Sequence, residues 1–428
     1  MSLDLSAGSE DPAPAIPGAV TRPGPRPRLL FLGQTLPFPP DGGVSIRTYH
    51  VLRALAHRFD VHALCFYRIS DRPTRGDVSA AIAGLAPFAR VEAFPIPQES
   101  HRSRLLWDHA CSVLRGRAYT VFAYASRPYR ARLRELLRAT PFDLVHMDSL
   151  DLSGYLPQLG DLPVVCVHHN IESVLLRRRA ATEGVGWRRA YVAHQASLVE
   201  REERHWSRKV ALNVVVSPAD QVVLEQLAPQ ALSAVVPNGV DLEYFRPHSG
   251  AVPRVVGIGG INWFPNRDAL DYFCATILPI VRARGDIAVR WVGRASPEEQ
   301  RQRLTQDRVE LTGYVEDVRP HVSDAACVVV PLRVGGGTRL KILAAWAMGR
   351  AVVSTSVGCE GLAAVDGRNI LIRDAPAEFA SAVWEVMADR ALRERLGREG
   401  RSTVEEHYSW DAIGSAMLDR YLAVTGRG

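Results

Sequence analysis

Lysine is nearly absent from this chain: of 52 basic residues only Lys209 and Lys341 are lysines. A bias toward arginine codons accounts for most of the arginines, and it makes the surviving lysines informative. An ammonium is a compact three-donor charge, whereas a guanidinium is a planar fork. Cysteine is also sparse. Cys65, Cys111, Cys166, Cys274, Cys327 and Cys359 show neither C-x-x-C spacing nor Cys/His pairs at ligand spacing, which excludes a zinc ribbon or finger. Cys65, Cys166 and Cys327 fall in apolar strand-like runs, as expected of thiols kept reduced. No apolar run approaches the ~20 residues that span a bilayer as a helix. The phosphate-binding pattern G-x-x-x-x-G-K-[ST] is missing, and "GIGGIN" (257–262) has Asn262 where a dinucleotide fingerprint needs its third glycine. That argues against a nicotinamide enzyme.

What is present is a soluble globular composition, 47% hydrophobic and 23% charged, with a net charge of +6. A chain of 428 residues exceeds the size of a single core, so two domains are expected. Residues 1–27, rich in Pro, Gly, Ala and Ser and without the apolar stretch of a secretory signal, read as a disordered leader. Strands are predicted at 28–33, 61–66, 91–94, 142–147, 163–168 and 212–217. A second series follows at 254–258, 287–293, 309–313, 326–332 and 351–356. Unbroken apolar strands separated by helices imply parallel sheets covered on both faces, hence an α/β chain of two doubly wound halves. Ser296-Pro297-Glu298-Glu299 reads as a capping box. The halves join near 236–250, where Pro237-Asn238-Gly239 reads as a turn with positive φ available at Asn238 and Gly239. The charge-laced segment 187–209 reads as a helix with a solvated face, or one edging a cleft.

Three stretches carry chemistry. In "RVGGGTRLKILAAWAMG" (333–349), Gly335, Gly336 and Gly337 follow a strand and precede a helix predicted over 338–348. Arg339 and Lys341 stand in its first turn, where the helix dipole disfavours cations by a few tenths of a kcal/mol or more. The arrangement makes sense if an anion binds there, held by glycine-loop N–H groups and balanced by Arg339 and Lys341. The alternative is a flexible loop with incidental cations. Asp41-Gly42-Gly43, ahead of a helix starting near Ser45, repeats the logic in the first half. After strand 163–168, "HHNIES" places His168, His169, Asn170 and Glu172 at a strand end, where they can orient a hydroxyl or move a proton. Asn170 can equally cap a helix. Asp148, just past strand 142–147, is a weaker candidate because aspartate at a strand end often only makes a turn.

"VVPNGVDLEYFRP", the glycine-loop helix and "GRAVVSTSVGCEGL" together resemble the retaining glycosyltransferases of family 4. "FPPDGGVSIRTYHVLRALA" and "HHNIES" resemble the subgroup associated with exopolysaccharide and PEP-CTERM gene clusters. The resemblance spans about 30 to 425 and implies a GT-B fold, with two Rossmann-like domains facing across a cleft. It implies an acceptor domain over 28–236, a nucleotide-sugar donor domain over 237–407, and a final helix, 408–425, crossing back to the first. It further implies that Gly42 and Gly43 approach the donor phosphates, that Lys341 pairs with them, and that His169 contacts the transferred sugar. No metal or other cofactor is implied, since protein cations and helix N-termini neutralise the diphosphate.

The chain departs from the family pattern where Gly336 and Ala344 occupy the positions of two glutamates, and where Trp346 and Ala351 replace Met and Pro. The second glutamate ordinarily accepts hydrogen bonds from the nucleotide ribose. Losing such a charge-assisted bond costs ~1.5–3 kcal/mol, roughly ten- to a hundredfold in affinity. The resulting expectation is transfer of a sugar from a nucleotide-diphosphate sugar to a hydroxyl on a glycan, lipid-linked or small-molecule acceptor, with retention of configuration, in polysaccharide or glycoconjugate synthesis. His169 and Lys341 are the catalytic candidates. Gly42, Gly43, Gly335–Gly337, Thr338, Arg339, Lys341 and Ala344 are the donor-binding candidates; Asn170, Glu172 and Asp148 would orient acceptor or sugar. A non-catalytic GT-B protein is the alternative, and an epimerase ranks last. Nucleic acid is not expected as a partner. The expected location is the cytoplasm, with Arg177-Arg178-Arg179 either touching anionic headgroups at the membrane's inner face or simply solvated.

Overall fold

The computed structural model describes residues 26–40, 43–72, 74–100, 102–247, 252–335 and 339–426. The first half builds a seven-stranded sheet from β1 (Arg28–Gly33), β2 (Asp60–Tyr67), β3 (Arg90–Pro95), β4 (Leu144–Met147), β5 (Val164–His168), β6 (Leu212–Val215) and β7 (Ser233–Val235). All pairings are parallel, in the order β3-β2-β1-β4-β5-β6-β7. The alternation of strand side chains explains why β1 is apolar throughout. Leu29 and Phe31 enter one core cluster, Leu30 and Leu32 the other, so both faces are buried under helices.

The second half repeats the plan with β8 (Val252–Ile258), β9 (Ala288–Val292), β10 (Val309–Leu311), β11 (Ala325–Val330), β12 (Val352–Ser354) and β13 (Leu371–Ile372). Their order is β10-β9-β8-β11-β12-β13, again all parallel. The molecule is thus two doubly wound, Rossmann-like α/β units, as the strand pattern predicts. β7 and β13, of three and two residues, lie outside the predicted strands, being too short for a periodic signal. The capping box forms: Ser296 Oγ accepts from Glu299 N at 3.2 Å, and Glu299 Oε2 accepts from Ser296 N at 2.8 Å.

The segment joining the units differs from its sequence reading. Neither Asn238 nor Gly239 has positive φ, so no left-handed turn forms. The chain instead runs extended beneath its own returning end: Val240 N donates to Tyr408 O at 2.7 Å. A Cβ on Gly239 would lie 2.8 Å from the Trp410 ring, so close approach rather than turn geometry requires glycine there. The last helix, Trp410–Val424, packs on helix Gly43–Leu55 and adds Trp410, Ile413, Met417 and Tyr421 to the core of the first sheet. His50 stacks on Trp410 with centroids 4.8 Å apart.

Helix Gly186–Trp206 is only partly the solvated element expected. Its inner face buries Val192, Ala196 and Leu198, and also Glu203, which accepts from Ser173 Oγ and N on helix Glu172–Thr182. Burial pushes the Glu203 carboxyl up to about 7. All six cysteines are free and buried. Among the described residues, no helix is long and apolar enough to cross a membrane.

Candidate active site

Two helix N-termini meet between the sheets. Helix Leu340–Ala347 follows β11 and its glycine loop, and helix Gly43–Leu55 follows β1; neither has an acidic residue in its first turn. A Cβ placed on Gly43 would lie 3.8 Å from Leu340 Cδ1, so the helices begin face to face. Gly42, Gly336, Gly337 and Thr338 lie outside the described residues. Each helix start leaves backbone N–H groups without intrahelical partners, and together the two form an electropositive cleft.

The cations in the second helix are arranged differently from one another. Lys341 is half-buried, and its Nζ donates to the neutral Asn266 Oδ1 at 2.7 Å. Burial, and then the nearby Arg339 guanidinium, push its ammonium down to about 7. Asn266 is itself held by its Nδ2 donating to Gly260 O at 3.0 Å, which ties Lys341 to the loop after β8. Arg339 is 5% exposed and folds back from the helix start, donating from Nη2 to Val357 O at 3.0 Å and lying 3.7 Å from Glu360 Oε2. A Cβ on Gly335 would meet Arg339 Nη2 at 2.8 Å, so glycine there leaves room for the guanidinium. The 335 carbonyl accepts from Arg178 Nη1 at 2.6 Å, and Arg178 also grips Glu360 through two bonds of 2.7 and 2.9 Å. That clamp joins the first unit to the second beside the glycine loop.

The glycines of "GIGGIN" also find a packing role. A Cβ on Gly257 would sit 2.2 Å from the Trp291 indole, whose Nε1 donates to Gly259 O at 2.9 Å. Gly259 has a φ of +140° and a Cβ there would meet Asn266 at 2.6 Å, while one on Gly260 would meet Asn262 Oδ1 at 2.6 Å, so each glycine answers a separate close approach.

Across the cleft, Asp148 anchors a third group. It is 1% exposed, follows β4 directly, and accepts from Thr48 Oγ1 at 2.8 Å on the helix that starts at Gly43. His169 Nε2 and His146 Nε2 stand 3.5 and 3.6 Å from its Oδ1. Burial alone would raise the Asp148 carboxyl; attraction to His169 and to His146 overcomes it and holds the carboxyl well below the ordinary range. Asp148 is therefore more than a turn residue: as a carboxylate it fixes His169, which keeps 10% of its side chain exposed.

His168 belongs to the core, 3.0 Å from Asn213 Oδ1, and burial keeps it neutral by pushing it down to about 4. Asn170 does not cap a helix. Helix Glu172–Thr182 has Ile171 at its cap with no side-chain bond, while Asn170 Nδ2 donates to Glu172 Oε1 at 2.9 Å. Burial, and then Asp151, push Glu172 up to about 8, so it holds a proton near neutrality.

Ala344 stands one turn beyond Lys341 and is half-buried. Trp346 is fully buried, with Nε1 donating to Asn369 O at 2.8 Å, and a Cβ on Gly400 would strike its ring at 2.3 Å. The tryptophan at that position is thus accommodated by a glycine on the neighbouring helix. Arg177-Arg178-Arg179 is not a free basic patch: Arg177 pairs with Glu200, Arg178 with Glu360, and Arg179 lies 5.4 Å above the Phe264 ring. Among the described residues no cluster of His, Cys, Asp and Glu is arranged to hold a metal ion. Sequence reasoning missed Asn266, Thr48, Arg178 and Glu360. Asn266 carried a faint signal, a polar residue in the loop after a strand; the others depend on contacts between distant segments.

Residues 41–244 match the family model described as Glycosyltransferase Family 4, and residues 252–389 match the one described as Glycosyl transferases group 1. A lipopolysaccharide core biosynthesis glycosyltransferase, LpsE, of Rhizobium meliloti is 36% identical over 113 residues, 26% of this chain and 33% of that protein. A D-inositol 3-phosphate glycosyltransferase of Streptomyces bingchenggensis is 27% identical over 233 residues, 47% of this chain and 50% of that protein. The chain thus spans half or less of the length of these curated relatives. In fold, it resembles sucrose-phosphate synthase from Thermosynechococcus elongatus, with a TM-score of 0.70 at 18% identity over 94% of this chain and 100% of the other. It also resembles Anabaena HepE, solved with UDP and glucose, with a TM-score of 0.62 at 16% identity over 92% and 99% of the two chains. With glycosyltransferase models on both sides of the joint and the GT-B arrangement of two Rossmann-like units, the chain belongs with the family 4-type glycosyltransferases.

Proposed function

We propose that the chain moves a sugar from a nucleotide-diphosphate sugar to a hydroxyl acceptor with retention of anomeric configuration, in polysaccharide or glycoconjugate synthesis of the exopolysaccharide-associated kind. The single observation behind this reading is the half-buried Lys341 ammonium, facing a neutral amide oxygen between two helix N-termini that lack acidic residues. A diphosphate placed there replaces the missing counter-charge. As the bond from the anomeric carbon to the diphosphate breaks, negative charge grows on the departing oxygen, and Lys341 with the helix N–H groups stabilises it in place. His169, fixed by Asp148, is positioned for a sugar or acceptor hydroxyl. HepE, whose structure holds UDP and glucose, shares the fold and supports the donor class.

Ala344 stands where the family offers a carboxylate to the nucleotide ribose, and that substitution favours a second reading, a GT-B protein that binds a nucleotide sugar weakly without transferring it. A thermal-shift screen against UDP-, GDP- and ADP-sugars, followed by NMR of the products with simple alcohol or glycan acceptors, separates the two. Transfer with an unchanged anomeric proton coupling is expected. Stabilisation by a donor with no turnover on any acceptor favours the second reading, and no stabilisation by any donor contradicts both.

A further inference from the structure

The strand register sets a histidine inside an apolar layer. β4 pairs with β1 so that His146 lies opposite Phe31, and the two rings stack with centroids 4.2 Å apart. On this face of the sheet Phe31, Leu144 and Tyr421 share one core cluster, and His146 is fully buried. A buried imidazole needs partners for both ring nitrogens. Tyr421 Oη stands 2.9 Å from Nδ1. Nε2 faces Asp148 Oδ1 at 3.6 Å and has no hydrogen-bond partner among the described residues.

The chemistry of the neighbours gives this line a direction. Asp148 is a carboxylate and can only accept, so the proton of a neutral His146 belongs on Nε2. Burial lowers the His146 imidazole and keeps it neutral. Nδ1 is then an acceptor, and Tyr421 donates to it; burial pushes the Tyr421 phenol well above its ordinary value, so it keeps its proton. His169 comes to the same oxygen. Its Nε2 lies 3.5 Å from Asp148 Oδ1 and is also buried without a hydrogen-bond partner among the described residues, while Thr48 Oγ1 donates to Oδ2 at 2.8 Å. One carboxylate oxygen is thus shared by two imidazoles, one in the core and one at the cleft, and the seat of the first decides how closely that oxygen approaches the second. The Tyr421 hydroxyl holds the first in place. Helix Trp410–Val424, which carries it, is fixed just before its start by Tyr408, whose Oη accepts from Ala363 N of the second unit at 2.8 Å.

We propose that Tyr421 and His146 are positioning residues for sugar transfer: through Asp148 they set the tautomer and orientation of His169. Neither is exposed, so neither touches donor or acceptor. In a neutral His169 the same argument puts the proton on Nε2, facing Asp148, and leaves Nδ1 to accept from a hydroxyl. The inference rests on the reading of His169 as the group that meets a sugar or acceptor hydroxyl.

The test compares the full chain with Tyr421→Phe, which keeps the ring and removes only the hydroxyl, and with His146→Phe, on a donor and acceptor that wild type turns over. Tyr421→Phe is expected to lower kcat about tenfold, while donor KM and nucleotide affinity stay at wild-type values. His146→Phe lowers kcat at least as far, and the double variant falls no further than His146→Phe alone, as two residues acting along one line require. Two-bond proton–nitrogen spectra of the imidazoles supply a signature that loss of packing does not. Wild-type His146 shows a protonated Nε2 and a bare Nδ1, and the His169 signals move in Tyr421→Phe. Should His146→Phe fail to fold, Tyr421→Phe and its spectra decide alone. Wild-type kcat or unmoved His169 signals in Tyr421→Phe, or losses that multiply in the double variant, overturn this inference and leave the transfer reading standing. A wild type that moves no sugar from any donor overturns both.

Discussion

Lys341 is the residue whose chemistry most depends on what is absent from its surroundings. Among the described residues its Nζ donates to one amide oxygen, at 2.7 Å, and burial pushes it down to about 7. A nearby diphosphate raises it again, so donor binding above pH 7 takes up protons, and affinity falls as pH rises from 7 toward 9. Calorimetry at pH 8 in buffers of different ionisation heat measures that uptake. The expected value approaches one proton for wild type and zero for Lys341→Met.

Linkage gives the same group a second signature. Its folded value lies below the unfolded one of 10.5, so the unfolded chain holds more protons between the two. The ligand-free protein therefore gains stability from this site as pH rises through that window, and Lys341→Met removes the slope. At Ala344, restoring the carboxylate with Ala344→Glu strengthens nucleotide binding by roughly ten- to a hundredfold. A titration with the preferred nucleotide that shows no gain contradicts the placement of the ribose beside that turn.

At the scale of elements, buried polar contacts between helices are the sensitive points. Glu203, pushed up to about 7, joins helix Gly186–Trp206 to helix Glu172–Thr182 through Ser173. A carboxyl raised by folding stabilises fully below its unfolded value and loses that contribution as pH climbs through about 7. Glu203→Gln is then expected to flatten the decline in melting temperature between about pH 5 and 7, which differential scanning measures.

Most elements were legible in the sequence because buried parallel strands are long apolar runs, as in "RLLFLG", and because glycine and proline punctuate them. The short strands β7 and β13 were not, because three and two residues carry no periodic signal. Arg339 and Lys341 stood out in the sequence because their charge opposes the helix dipole. Asp148 could not be weighed correctly, since its partners Thr48, His146 and His169 come from three different segments. Asn238 and Gly239 carried a turn signature that other contacts explain instead: Asn238 Oδ1 accepts from Arg47, and Gly239 lies against Trp410.

At the scale of the whole molecule, the two units are tied at the joint and clamped at the cleft. Arg47, 1% exposed, donates to Asn238 Oδ1 at 2.7 Å where the chain passes between them, and burial lowers its guanidinium to about 10. On the cleft side, Arg178 holds Glu360 and the 335 carbonyl, and Arg294 meets Asp71 at 2.9 Å. Both cleft-side ion pairs are about a third exposed or more, so each contributes at most ~1 kcal/mol to stability. Arg178→Ala is accordingly expected to leave the melting temperature almost unchanged while weakening donor binding several-fold, because the glycine loop loses its anchor. A fall of many degrees without a change in binding would assign Arg178 to folding instead.

The central claim is that a diphosphate lies between the two helix N-termini with Lys341 as its counter-charge. Isothermal titration of UDP, GDP and ADP into wild type and Lys341→Ala tests it most directly. Wild type should bind one of these nucleotides at one site per chain, and Lys341→Ala should bind it at least about a hundredfold more weakly with an unchanged fold. Equal affinity in the two proteins would contradict the claim.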